Sequence, residues 1–175
     1  AGLSAAFISP DWLQRRSVVF YLLCLLALSL IFVPGLGVKV NGAQRWLGLG
    51  PLRVQPSEFA KIGLGLLLAS YLSTRQRQIR AFWHGFMMPS VIVGLILFLI
   101  MLQPDFGTTF LCGAVGATMM FLAGVSLRWL LPVAGLAVSL FSLLVYLDPV
   151  RLRRVTSFLD VEANANDSAY QLWQG

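Results

Sequence analysis

Four charged side chains lie close together between residues 41 and 61, in a sequence that is otherwise apolar. They are Arg45, Arg53, Glu58 and Lys61, and the stretch around them is rich in glycine and proline. Ionisable groups in or beside a membrane segment are costly and usually serve a function. Glu58 and Lys61 are three residues apart, so on a helix they would share one face. Lys61 therefore either pairs with Glu58 or binds an anionic ligand.

A helix start is predicted at Ser57, about one turn before Lys61. Pro56 has a φ that suits a first helical turn, Ser57 is expected to be the N-cap, and the charge of Glu58 complements the helix dipole. Gln55 precedes this start. An ordinary helix start explains Ser57 and Glu58, but it does not explain a lysine about one turn further into an apolar span.

A second polar motif, residues 103–109, separates two apolar stretches. Its proline and glycine predict a break between two helices, and Asp105 predicts a turn there. The hydroxyl of Thr108 or Thr109 is expected to cap the helix that follows. A bare turn accounts for the motif. Asp105 is also expected at the same depth as the basic residues of the first motif, and it would then pair with one of them.

Arg151, Arg153 and Arg154 form a third cluster. Arg151 and Arg154 would share one face of a short interfacial helix. Such a basic stripe binds either anionic lipid headgroups or a phosphorylated substrate, for which the arginine fork is well suited. The sequence has no metal-ligand spacing, no nucleophile–histidine pair and no phosphate-binding glycine loop, and His84 is its only histidine.

The composition places these motifs in a membrane protein. The sequence is 58% hydrophobic and 11% charged, with a mean hydropathy of +0.79, whereas soluble domains are about 25% charged. The net charge of +6 does not indicate nucleic-acid binding, because the basic residues lie in short loops between apolar runs. Cys24 and Cys112 lie within apolar runs and predict no disulfide or metal framework.

The apolar runs predict an all-α, polytopic transmembrane helix bundle. Each run is close to the roughly 20 residues that a helix needs to cross a bilayer, and helices satisfy their own backbone hydrogen bonds in lipid. The sequence does not begin with Met and has no closing element, so it is expected to be a fragment. The predicted spans cover residues 17–38, 57–73, 82–101, 109–127 and 129–147, and residues 148–175 are predicted to begin an outer loop.

The basic residues divide equally between the two predicted membrane faces, so counting them does not fix the orientation. A face that carries basic residues among glycine, proline and acidic residues is expected to hold them for a ligand. We therefore place that set outside the cell. The inner set is Arg15, Arg16, Arg75, Arg77, Arg80 and Arg128, and the outer set is Lys39, Arg45, Arg53, Arg151, Arg153 and Arg154.

Several spaced motifs resemble one known family. Gly42–Trp46, Gln55–Lys61, Gln103–Thr108 and Tyr170–Leu172 are similar in order and spacing to motifs of the SEDS proteins FtsW, RodA and SpoVE. The segment Arg153–Asp160 is closest to FtsW. The resemblance implies about ten membrane helices in the bacterial inner (cytoplasmic) membrane, of which this chain would be the third to the seventh. It also implies polymerisation of lipid II, the undecaprenyl-diphosphate-linked disaccharide-pentapeptide, into peptidoglycan.

The resemblance also bears on the site residues. It implies that Arg53 and Lys61 handle lipid II, and that the essential loop Asp lies beyond Gly175, so that this chain lacks the catalytic residue. Residues 160–168 depart from the proline- and tryptophan-containing turn of the family. The predicted substrate-binding residues are Arg45, Arg53, Gln55, Glu58, Lys61, Gln103, Asp105, Arg153 and Arg154.

Three functions are compatible with these motifs: a glycosyltransferase, a lipid II flippase, and a non-catalytic activator of a class B penicillin-binding protein. A transporter needs a polar path through its spans, and between Ile62 and Tyr71 the second span offers only Ser70. This favours the enzyme. A divalent cation, Mg²⁺ or Mn²⁺, is a possible cofactor. The expected partners are lipid II, a class B penicillin-binding transpeptidase, other divisome or elongasome proteins and membrane lipid, but no nucleic acid.

Overall fold

The computed structural model describes residues 9–40, 43–49 and 52–147. Most of them are helical, which confirms the predicted all-α class. A small sheet, which the sequence analysis did not predict, separates the first two helices. The elements are α1 (Pro10–Leu30), β1 (Gly37–Val40), β2 (Ala43–Leu49), β3 (Leu52–Val54), α2 (Pro56–Thr74), a 3₁₀ turn (Gln76–Gln78), a π-helical segment (Phe82–Met87), α3 (Met88–Met101), α4 (Phe106–Leu122) and α5 (Leu127–Tyr146).

Helix α1 differs from the first predicted span at both ends. Ser9 is its N-cap and accepts a hydrogen bond from the backbone N–H of Trp12 at 3.4 Å, and Pro10 occupies the first turn. The helix ends at Leu30, and the chain then turns through Gly35, which has a φ of 92°. The apolar run continues past this point, which is why the predicted span extended to residue 38.

Three described helices are long and apolar enough to cross a membrane. They are Asp11–Leu30, Phe82–Met101 and Leu127–Tyr146, each of 20 residues, and Phe106–Leu122 is a shorter apolar helix. Helix α2 carries Glu58 and Lys61 in its first turns, which lowers its mean hydropathy. The chain is therefore a multi-pass membrane protein, whereas the five-span arrangement stays a prediction.

Helix α2 lies at the centre of the bundle and packs against α1, α3 and α4. Its Leu64 and Leu68 are fully buried, as are Ile96 and Ile100 of α3. The Tyr21 hydroxyl donates a hydrogen bond to the carbonyl of Ile92 at 2.6 Å and joins α1 to α3. The bundle is thus held by apolar packing with few polar contacts, as expected where every backbone bond is satisfied within its own helix.

The sheet is antiparallel, in the order β1-β2-β3. In the second pair of strands Gly48 lies opposite Arg53, and β3 continues through Gln55 into α2. Because α1 ends and α2 begins beside the sheet, the sheet lies at one end of the bundle. We call this the sheet end, and we call the opposite end, with the 3₁₀ turn between α2 and α3, the hinge end.

The described residues divide into two compact units, the first ending at Leu130 and the second beginning at Leu131. In the second unit the structure describes the remainder of α5, which contains Pro132, and Leu147 after it. Its leucine and valine side chains are largely exposed, as on a helix that faces lipid or further protein.

Candidate functional site

The N-cap of helix α2 lies two residues earlier than the sequence analysis predicted. Gln55 occupies the N-cap position and makes no side-chain capping bond, and Pro56 begins the helix. The prediction that Ser57 is the N-cap is therefore wrong, because proline takes the first helical position and places Ser57 inside the helix. Ser57 is buried, and its hydroxyl accepts a hydrogen bond from Gln55 Nε2 at 3.0 Å.

Glu58 and Lys61 form the ion pair that their spacing predicted. Lys61 Nζ lies 2.8 Å from Glu58 Oε2, and the two side chains are 30% and 56% exposed. An ion pair with this much solvent contact contributes little to stability. Glu58 therefore balances the positive charge of Lys61 when no ligand is bound, but an anionic ligand can displace Glu58 at a small cost in free energy.

Arg53 has a different environment. It lies on β3, is exposed, and forms no ion pair with any residue that the structure describes. Only one residue, Gln55, separates β3 from the start of α2, so the main chain at Arg53 lies near the first turn of that helix. An exposed guanidinium without a counter-charge, on the strand that leads into the helix carrying Lys61, is suited to bind a polyanion together with that lysine.

Asp105 is the N-cap of α4. Its Oδ1 accepts a hydrogen bond from the backbone N–H of Thr108 at 3.2 Å, and its Oδ2 accepts one from the Thr108 hydroxyl at 3.0 Å. The Thr109 hydroxyl donates to the Asp105 carbonyl at 2.7 Å. The expectation that a threonine caps this helix is wrong, because a carboxylate just before the first turn reaches the free N–H groups better than a hydroxyl inside it.

Arg45 joins the sheet to this turn between α3 and α4. Its Nε donates to the carbonyl of Gln103 at 3.3 Å, its Nη2 donates to the carbonyl of Pro104 at 2.5 Å, and its Nη1 lies 3.9 Å from Asp105 Oδ1. The Gln103 side chain is 2% exposed and donates to the Leu28 carbonyl at 3.2 Å. Gln103 therefore faces the protein interior.

The two ion pairs, Glu58–Lys61 and Arg45–Asp105, belong to one region of the sheet end. Glu58 and Lys61 lie in the first turns of α2, Asp105 caps α4, and these two helices pack against each other. Sequence reasoning grouped the two motifs by predicted depth.

The structure gives no support to a bound divalent cation. Within residues 9–40, 43–49 and 52–147, no three His, Cys, Asp or Glu side chains lie close enough together to hold a metal ion. Both nearby carboxylates, Glu58 and Asp105, are paired with cations. The divalent cation therefore stays a prediction. The predicted substrate-binding residues Arg153 and Arg154 lie outside the described residues.

The chain is similar in sequence to proteins of one known family. The family model for FtsW, RodA and SpoVE, described as "Cell cycle protein", matches residues 2–175. A "Probable peptidoglycan glycosyltransferase FtsW" of Allochromatium vinosum is 40% identical over 173 residues, which are 99% of this chain and 43% of that protein. The chain thus spans less than half the length of this relative.

Two solved structures resemble the fold. The crystal structure of the rod shape determining protein RodA of Thermus thermophilus has a TM-score of 0.67 and 33% identity, over 79% of this chain and 43% of that one. A chain from a study of how a peptidoglycan synthase complex coordinates polymerization and crosslinking has a TM-score of 0.61 and 32% identity, over 91% of this chain and 47% of that one.

Proposed function

Because this chain belongs to the FtsW, RodA and SpoVE family of cell cycle proteins, we propose that the intact protein is a peptidoglycan glycosyltransferase of cell division. In this proposal it polymerises lipid II on the outer side of the bacterial cytoplasmic membrane, and the sheet end faces outward. The relatives named FtsW support the assignment to division.

The observation that carries the proposal is the state of the cations at the sheet end. Arg53 is exposed and has no counter-charge among the described residues, and Lys61 has one that is easily displaced. The diphosphate of a lipid-linked sugar carries negative charges that match two such cations. Because the site lies at one end of an apolar bundle, the lipid chain of the substrate can remain in the bilayer while its diphosphate contacts both residues.

In glycosyl transfer the acceptor hydroxyl forms a bond to the anomeric carbon of the donor sugar, and the bond from that carbon to the diphosphate breaks. Negative charge develops on the leaving diphosphate, and cations fixed at that position lower the barrier. We assign this role to Arg53 and Lys61. The proton of the acceptor hydroxyl passes to a general base, which the family resemblance places in the loop beyond Gly175.

The burial of polar residues supports an enzyme rather than a transporter. Among the residues described, the buried polar or charged side chains are Ser17, Ser57, Gln103 and Asp105. Three of them lie at the sheet end, and Ser17 is the eighth of the 21 residues of α1. Near the middle of the bundle, the buried hydroxyl of Tyr21 already donates to the Ile92 carbonyl. Transport of a charged headgroup needs polar groups at that depth, because lipid does not solvate the charge.

A class B penicillin-binding transpeptidase is the partner that we propose. The similar chain from a peptidoglycan synthase complex supports this, because that complex combines polymerization with crosslinking. Lipid II, membrane lipid and further proteins of the division machinery are the other proposed partners.

The test is glycan polymerisation from fluorescent lipid II by the purified full-length protein with its transpeptidase, beside the 175-residue chain alone. We expect glycan polymer from the full-length protein and none from the shorter chain. Movement of lipid II across a vesicle membrane without polymerisation would favour the flippase, and a folded protein that only stimulates its transpeptidase would favour the activator. Either result would overturn the proposal.

A further inference from the structure

Arg45 was predicted to bind substrate, but its guanidinium is already occupied within the protein. Two of its nitrogen atoms donate to the carbonyls of Gln103 and Pro104, at 3.3 and 2.5 Å, and a third lies 3.9 Å from Asp105 Oδ1. These three acceptors come from consecutive residues of one turn. Arg45 thus connects β2 to the α3–α4 turn through its side chain.

The turn offers an environment that suits a planar cation. Its carbonyls follow the end of α3, where the last carbonyl groups of a helix lack partners and the helix dipole is negative. The carboxylate of Asp105 adds a negative charge at the same place. A guanidinium presents several donors at fixed angles and can contact two carbonyls at once, whereas an ammonium acts as a single point charge.

Strand β2 is also attached to the bundle at the preceding residue. Gln44 Nε2 donates to the carbonyl of Ile31, just after α1, at 2.9 Å. Two consecutive residues of β2 therefore connect the sheet to α1 and to the α3–α4 turn. Because β2 pairs with β3, where Gly48 lies opposite Arg53, the position of β2 sets the position of Arg53.

We infer that Arg45 is a positioning residue: its guanidinium holds β2 against the α3–α4 turn and thereby places Arg53 beside Lys61 for the diphosphate of the lipid substrate. The inference rests on the proposed function for the identity of the ligand. Arg45 need not contact the ligand. The effect of Arg45 on ligand binding depends on the shape of its side chain, and it arises because Arg45 sets the position of Arg53.

Direct contact of Arg45 with the ligand makes different predictions. In that case positive charge is the main requirement, so lysine would replace arginine with a small loss. Arg45 and Arg53 would also contribute independently, and the effects of removing them would add. A positioning role requires the arginine fork, and its effect disappears once Arg53 is gone.

The experiment is a double-mutant cycle in the full-length protein, reconstituted in nanodiscs of phosphatidylethanolamine and phosphatidylglycerol. The equilibrium binding of fluorescent lipid II is measured for Arg45→Gln, Arg45→Lys, Arg53→Gln and the double variant Arg45→Gln/Arg53→Gln. We expect Arg53→Gln to weaken binding about tenfold or more. Both Arg45 variants should weaken it comparably, and the double variant should bind within about twofold of Arg53→Gln.

The coupling between the two positions separates this role from a general structural defect. Partial unfolding lowers the number of binding sites but does not make the effect of one substitution depend on the other. If Arg45→Gln fails to fold, Arg45→Lys takes its place in the cycle. Arg77→Gln is a matched control, because it also removes one arginine charge, but from an exposed position on the 3₁₀ turn at the hinge end, and it should bind within about twofold of the wild type.

Two outcomes would overturn the claims separately. Additive effects, together with wild-type binding by Arg45→Lys, would show that Arg45 contacts the ligand directly and would refute the positioning role alone. Wild-type binding by Arg53→Gln would refute the anion site of the proposed function, whatever the Arg45 variants do.

Discussion

The Glu58–Lys61 pair gives the sharpest prediction, because its two members should have opposite effects on ligand binding. Their charged atoms are 2.8 Å apart, but the side chains are 56% and 30% exposed. A helical pair of this kind contributes about 0.2–0.5 kcal/mol. An anion that displaces Glu58 must overcome that amount, so Glu58→Gln should tighten the binding of lipid II by about 1.4- to 2.3-fold.

Lys61→Ala removes a charged contact to the diphosphate, whereas Glu58→Gln removes only the group that competes with the diphosphate for Lys61. A hydrogen bond to a charged group contributes about 1.5–3 kcal/mol, which corresponds to roughly 10- to 150-fold in the dissociation constant. The bundle should remain folded, because Lys61 is partly exposed and its ion pair is weak. Turnover of lipid II by the full-length protein should fall by a similar factor at substrate concentrations below KM.

The assay is the binding of fluorescent lipid II to full-length protein in nanodiscs, with the thermal unfolding midpoint recorded for each variant. Asp11→Asn is the matched control for Glu58→Gln, because it also removes one negative charge, but from the other end of α1, away from the sheet. It should leave binding unchanged. A tenfold loss of binding in Glu58→Gln would show that Glu58 serves the ligand rather than competing with it. Wild-type turnover in Lys61→Ala would refute the anion site itself.

Two further predictions concern the packing that holds the site. Gly116→Ala should lower the stability of the full-length protein by about 1–3 kcal/mol, because a Cβ there would lie 2.7 Å from a valine methyl group of α3. Gly94→Ala is its control, since its Cβ would meet no described atom within 4 Å, and both are checked by thermal unfolding. Tyr21→Phe should cost about 0.5–1.5 kcal/mol through the lost hydrogen bond to Ile92, and an unchanged midpoint would contradict this.

The sequence predicted those parts of the fold that depend on local properties. Apolar runs of suitable length predicted the helices, because hydropathy acts over the length of a span. The sheet was missed, because residues 37–40 continue the apolar run of the first span. Pro34 and Gly35 were the available signals of a helix end. Pro56 likewise indicated that the N-cap of α2 is Gln55 and not Ser57.

The candidate site shows the same division between local and long-range contacts. The Glu58–Lys61 pair follows from a spacing of three residues, and the structure contains it. The partners of Gln103 and Arg45 do not follow from spacing. Gln103 donates to a carbonyl 75 residues earlier in the chain, and Arg45 donates to carbonyls 58 and 59 residues later. Every residue has a main-chain carbonyl, so the sequence does not show which carbonyl will accept a given hydrogen bond. The tertiary packing determines it.

This difference changes the meaning of the charged motifs. All of the basic residues at the sheet end were expected to serve one ligand, because unpaired charges are costly beside a membrane. In the structure, Arg45 and Asp105 offset each other's cost and fix the turn. Arg53 is left without a counter-charge among the described residues, and Lys61 has a partner that solvent can reach. A polyanionic ligand gains most from the cations that the protein has not already neutralised, so Arg53 and Lys61 are the residues on which binding should depend.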